Sequence, residues 1–110
     1  MRDGKVMERK PEWVRAAKIS DIPEGGGVLL TVEGKKIALL RSEDKYYAIE
    51  NSCPHRGAPL SLGHAQNCQV TCSWHAWAFD LKTGECLSVP EVKLITYPVK
   101  VDQDDIYVQA

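Results

Sequence analysis

Long apolar runs are missing from this chain of 110 residues. No stretch approaches the roughly 18 consecutive apolar residues that a membrane-spanning helix needs. Met1 to Lys10 is polar and charged and lacks the apolar centre of a secretory signal, so a cytoplasmic location is expected. Excess charge is missing too. The formal net charge is −1, which gives no bulk attraction to nucleic acid or to an anionic membrane, and neither is expected as a partner. Internal repeats, low-complexity blocks and interdomain linkers are absent. No segment carries a sustained helical period, so a helical bundle is excluded.

What is present is a single domain's worth of sequence. Hydrophobic residues make up 44% and charged residues 26%, an ordinary globular balance. Residues 1–12 are expected to form a flexible N-terminal lead, and 13–110 the folded domain. Short apolar runs alternate with turn signals. Trp13 to Ala17, Val28 to Val32, Lys36 to Arg41, Tyr46 to Glu50, Gln69 to Cys72, Trp77 to Leu81 and Ile106 to Gln109 read as strands. Glu33-Gly34 is a tight hairpin signal. Ile95, Tyr97, Val99 and Val101 alternate with polar or turn residues and predict one half-buried strand. Asn51 to Gly63, with Pro54, Gly57, Pro59 and Gly63, is loop-like. The fold class is all-β, an antiparallel sandwich or small barrel.

In a reducing compartment the four cysteines read as metal ligands or buried thiols rather than as two disulfides. Two of them are paired with histidine. Cys53-Pro54-His55 reads C-x-H, and Cys72-Ser73-Trp74-His75 reads C-x-x-H. The interval Arg56 to Thr71 has room for a hairpin excursion. Cys53, His55, Cys72 and His75 are the candidate ligands. A mononuclear zinc site has the right ligand types, but zinc modules usually pair cysteine with cysteine and histidine with histidine. A mononuclear iron oxygenase site calls for two histidines and a carboxylate, and no such group surrounds these loops. A two-iron cluster accounts better for the mixed pairing. One iron takes both cysteines and the other both histidines, with each loop touching both irons.

Charge favours electron transfer at such a centre. Two thiolates and two neutral imidazoles leave an oxidised [2Fe–2S] core near zero net charge, where four thiolates leave it near −2, so an electron is added at lower cost. The extra electron also favours protonation of the imidazoles.

The segments C-P-H-R-G-A-P-L (Cys53 to Leu60), C-S-W-H-A-W-A-F-D (Cys72 to Asp80) and T-G-E (Thr83 to Glu85) resemble Rieske ferredoxins, the small electron carriers of bacterial ring-hydroxylating dioxygenase systems. The resemblance covers the chain from about Trp13 onward. It implies a Rieske-type antiparallel β-sandwich with a small cluster-binding subdomain, loops at about 51–63 and 72–80, and one Rieske-type [2Fe–2S] cluster. A third, proline-containing loop is implied around Pro90, from Leu87 to Glu91. The implied partners are a flavoprotein reductase and a terminal oxygenase, and the chain is expected to turn over no substrate by itself. Thr83 to Leu87 with Thr96 to Val99 is also similar to the small subunit of NAD(P)H-dependent nitrite reductases, whose large subunit would then be the partner. A non-redox module with structural zinc is the third alternative.

Other chemistry-bearing residues have simpler expected roles. Cys68 and Cys86 read as small buried thiols, and His64 as a solvated loop residue. Trp74 and Trp77 are expected to pack, Arg56 to pair with a local carboxylate, and Asp102, Asp104 and Asp105 to form a solvated turn. The respiratory Rieske proteins have an extra cysteine in each loop, where Ala58 and Trp74 stand here. They also place hydroxyls where Trp77 and Phe79 stand. Hydrogen bonds to the sulfurs stabilise the reduced state. Without these hydroxyls, direct electrochemistry is expected to find a potential towards the lower end of the Rieske range of roughly −150 to +300 mV.

Overall fold

The computed structural model describes residues 13–52, 59–72, 77–89 and 91–110. The expected N-terminal lead lies outside them. The antiparallel strands are β1 (Trp13–Lys18), β2 (Gly27–Val32), β3 (Lys35–Ser42), β4 (Lys45–Glu50), β5 (His64–Gln66), β6 (Gln69–Thr71), β7 (Ala78–Asp80), β8 (Thr96–Tyr97), β9 (Val99–Asp102) and β10 (Asp105–Gln109). They form three sheets, ordered β1-β10-β9, β2-β3-β4-β8 and β5-β6-β7. Among the described residues, helical structure is limited to two 3-10 turns, Ile19–Asp21 and Leu60–Leu62, and no helix is long and apolar enough to cross a membrane.

The four-stranded sheet is the middle layer. Its strand β3 carries Ile37, Ala38, Leu39 and Leu40, all fully buried. A strand sends successive side chains to opposite faces, so an unbroken apolar run marks a strand covered on both sides. Ile37 and Leu39 enter one core with Ile22, Ala48, Ile106 and Val108. Ala38 and Leu40 enter another with Ile49, Leu60, Val70, Cys72, Phe79 and Leu94. The first core binds the middle sheet to β1-β10-β9, and the second binds it to β5-β6-β7 and the segment after it. Each fully buried leucine, isoleucine or phenylalanine contributes roughly 1.5–3 kcal/mol.

Two-residue turns set the strand registers. Glu33-Gly34, Glu43-Asp44 and Asn67-Cys68 all have positive φ at both positions, the backbone of a type I′ hairpin. Glu43-Asp44 has neither glycine nor asparagine to ease that conformation. The Glu24 carboxylate accepts both of its backbone N–H groups, and Arg41 pairs with Asp44 at 2.6 Å while also donating to the carbonyl of Ile22. The same Glu24–Gly25 corner holds the third sheet. Gly25 donates to Arg41 O and accepts from Ala65 N at 2.9 Å, and Cys68 N donates to Ser42 Oγ at 3.0 Å.

Two expectations need correction. The stretch from Ile95 to Val101 is two strands in different sheets, because Pro98 has no N–H to continue a ladder. β8 pairs with β4, and β9 pairs with β10. Tyr97 and Val99 are half-buried, while Ile95 and Val101 are 56% and 46% exposed. His64 is exposed as expected but sits in β5, opposite Thr71, because tertiary pairing supplies an extension that three residues do not encode alone.

Gly84 has φ +83°, and a Cβ there would run into the carbonyl of Leu94. The Gly84→Ala variant is expected to lose about 2 kcal/mol of stability, read as a lower urea midpoint at unchanged slope.

Candidate metal centre

Cys53, His55 and His75, together with Arg56 and Trp74, lie outside the described residues, and so does Pro90. The structure shows how the segments bearing them are held. The first loop leaves β4 and returns to the Leu60–Leu62 turn. Ser52 and Pro59 form an antiparallel bridge across its mouth. Behind the bridge, Leu60 N donates to Asn51 O at 2.8 Å, and Ser61 N donates to Asn51 Oδ1 at 2.9 Å. Asn51 N donates to Lys36 O at 3.1 Å, tying the loop to β3.

The second loop leaves β6 and returns to β7. Cys72 N donates to Trp77 O at 2.8 Å, closing its mouth. Cys72 is only 1% exposed and belongs to the same core as Leu60, Val70 and Phe79. Trp77 packs half-buried against that core, the packing role expected of it. The described ends of the two loops come together at Gly63, where a Cβ would collide with the carbonyl of Thr71. Glycine is needed there because the chain leaving the first loop passes directly against the strand that feeds the second.

The segment around Pro90 is fastened beside the second loop. Leu87 N donates to Ala78 O at 2.8 Å, Ala78 N approaches Ser88 Oγ at 3.4 Å, and Val89 N donates to Cys86 Sγ at 3.3 Å. Cys86 is buried, as expected. Ala78–Asp80, at the far end of the second expected loop range of about 72–80, forms strand β7, within the strand expected from Trp77 to Leu81.

Sequence reasoning did not single out Asn51, Ser88 or Tyr47. Tyr47 reaches across from β4 so that its hydroxyl lies 3.4 Å from Cys68 Sγ, and Cys68 is half-buried rather than buried. Burial, then the contact with Cys68, pushes the Tyr47 phenol up to about 12. Such contacts join residues far apart in the chain, and no local spacing announces them. Among the described residues, no group of three or more His, Cys, Asp and Glu side chains converges on a metal position.

The residues present suit an iron–sulfur cluster. A buried cysteine stands at a strand end where the backbone closes a loop. A second Cys/His loop has its ends clamped to the same core, and a glycine allows the two to approach. Residues 12–98 match the Rieske [2Fe-2S] domain. The chain belongs to the Rieske [2Fe–2S] family. The ferredoxin component of the naphthalene 1,2-dioxygenase system of Pseudomonas putida is 40% identical over 92 residues, 83% of this chain and 88% of that one. The ferredoxin of carbazole 1,9a-dioxygenase from Nocardioides aromaticivorans IC177 superposes with a TM-score of 0.79 at 31% identity, covering 87% of this chain and 95% of that one. A Mycobacterium tuberculosis protein assigned as the small subunit of an NADH-dependent nitrite reductase superposes with a TM-score of 0.85 at 29% identity, covering 91% and 96%. The cofactor of this Rieske protein is therefore one [2Fe–2S] cluster, which resolves the choice left open between zinc, mononuclear iron and a two-iron centre. Its role is electron transfer.

Below its ordinary pKa of 10.0 the Tyr47 phenol is neutral whether the chain is folded or not. Above that value the unfolded chain gives up the proton, while the folded chain keeps it to about 12. Folding stability should therefore fall as pH rises through this window. Ultraviolet difference titration of the protein against Tyr47→Phe is expected to show one late-ionising phenol missing from the variant.

Proposed function

We propose that this Rieske protein is a diffusible carrier that takes one electron from a flavoprotein reductase and delivers it to a terminal oxygenase. The cluster is held by Cys53 and Cys72 on one iron and by His55 and His75 on the other, within a domain spanning 13–110. When bound, the cluster supplies a one-electron couple. The chain's own contribution is to hold the bases of the ligand loops together and to keep water from the buried Cys72. The observation that carries the reading is the pair of clamped loop mouths, Ser52–Pro59 and Cys72–Trp77, resting on one shared core that includes a buried cysteine.

The identities quoted above support the oxygenase as acceptor, because the relatives at 40% and 31% identity are ferredoxins of dioxygenase systems. The second reading, small subunit of an NAD(P)H-dependent nitrite reductase, is favoured by the superposition at TM-score 0.85. In either case the electron enters and leaves through the same centre, and no side chain of this chain needs to bind an organic substrate.

Anaerobically purified, dithionite-reduced protein is expected to contain two irons per chain and to give a rhombic low-temperature EPR spectrum displaced from that of all-cysteine ligation. Cys72→Ser should abolish it. One zinc and no iron would refute the carrier. Reoxidation of the reduced protein by a dioxygenase terminal component, without stable co-purification, supports the first reading. Tight co-purification with a sirohaem-bearing large subunit supports the second.

A further inference from the structure

We propose that Asn51 is the positioning residue of the first cluster loop, its side-chain carbonyl holding the departing and returning chain at the separation from which Cys53 and His55 are presented. The proposal rests on the reading that those two residues are ligands. Asn51 stands two positions before Cys53 and is only 8% exposed. Three bonds converge on it. Its N–H is given to β3 at Lys36 O, its carbonyl takes Leu60 N, and its Oδ1 takes Ser61 N. Ser61 is itself 7% exposed, so its N–H has little water to fall back on if Oδ1 is removed, and a buried unpaired donor is costly. The preceding residue is fixed as well. Glu50 N donates to Ile95 O, and Glu50 Oε1 accepts Ile95 N at 2.8 Å. The base of the loop is thus tied to β3, to the Ile95 segment and to its own far end.

The chemistry selects the residue type. Leucine keeps the branched shape, in a somewhat larger side chain, with no acceptor. Aspartate retains the acceptor on the same frame, ionised or not. A residue that only filled space would tolerate leucine, and a residue that positions the loop would tolerate aspartate and not leucine. Because an electron carrier gains from small rearrangement of its ligands on reduction, a rigid loop base bears on function as well as on stability.

The test uses the cluster-loaded protein with Asn51→Leu and Asn51→Asp. The leucine variant is expected to lose its visible cluster absorbance to a chelator roughly ten-fold faster, and its reduced EPR lines should broaden and shift. The aspartate variant should keep the loss rate and line positions of the parent. A leucine variant that matches the parent in both, or an aspartate variant as damaged as leucine, overturns the proposal. Should the leucine variant not accumulate, hydrogen exchange on the unaltered loaded protein decides. A Ser61 amide as slow as that of Leu39 in β3 supports the clamp, and one as fast as that of Gln103 at a turn tip overturns it. Unaltered protein without iron would refute the ligand reading and this proposal with it, whereas loaded parent with indifferent variants refutes this proposal alone.

Discussion

Strand β3 has to serve two cores at once. Its run Ile37 to Leu40 sends alternate side chains to opposite faces, and all four are fully buried. One face welds the middle sheet to β1-β10-β9, and the other carries the three short strands, of which β6 and β7 bound the second Cys/His loop. A strand with a polar face would leave one of the two unattached. The β5-β6-β7 sheet is too small to be stable alone, with strands of three residues each, and depends on this borrowed hydrophobic surface.

On that foundation the ligand loops are fixed by their bases. Backbone bonds close both mouths, Asn51 bonds to β3 and to the returning end of the first loop, Gly63 lets that chain pass against the strand that feeds the second, and the Leu87–Val89 segment is fastened beside β7. The arrangement suits a protein that moves an electron. The two Cys/His loops offer soft and borderline donors of the kind an iron–sulfur cluster takes, while the strands hold the bases of those loops. A glycine at a close approach and an asparagine inside a corner are the kind of residues such a design needs, since both are chosen by backbone geometry rather than by hydrophobicity.

The electrostatics away from the loops are mainly structural. Glu24 and Arg41 stabilise the strained Glu43-Asp44 turn, and Lys100 lies over the rings of Trp13 and Tyr107 at 4.8 and 5.5 Å. Tyr47 and Cys68 join the middle sheet to the third one through a polar contact at the rim of the shared core. With a net charge of −1, recognition of a partner rests on local shape and chemistry rather than on a long-range field.

Much of this was legible in the chain alone. Alternating and continuous apolar runs marked nearly every long strand, because burial on one or both faces follows directly from side-chain period. The paired Cys/His motifs pointed to a two-iron centre, since ligand softness and mixed pairing are properties of the residues themselves. What the sequence could not announce were the features that exist only when distant segments meet. Pro98 divides what reads as one strand between two sheets. His64 becomes a strand residue because Thr71 lies opposite it. Asn51 looks like any loop asparagine until Ser61 is folded beneath it. The kind of cofactor follows from local chemistry and is written in the order of residues, whereas the clamp at the loop bases is a matter of long-range contact, which only the folded chain decides.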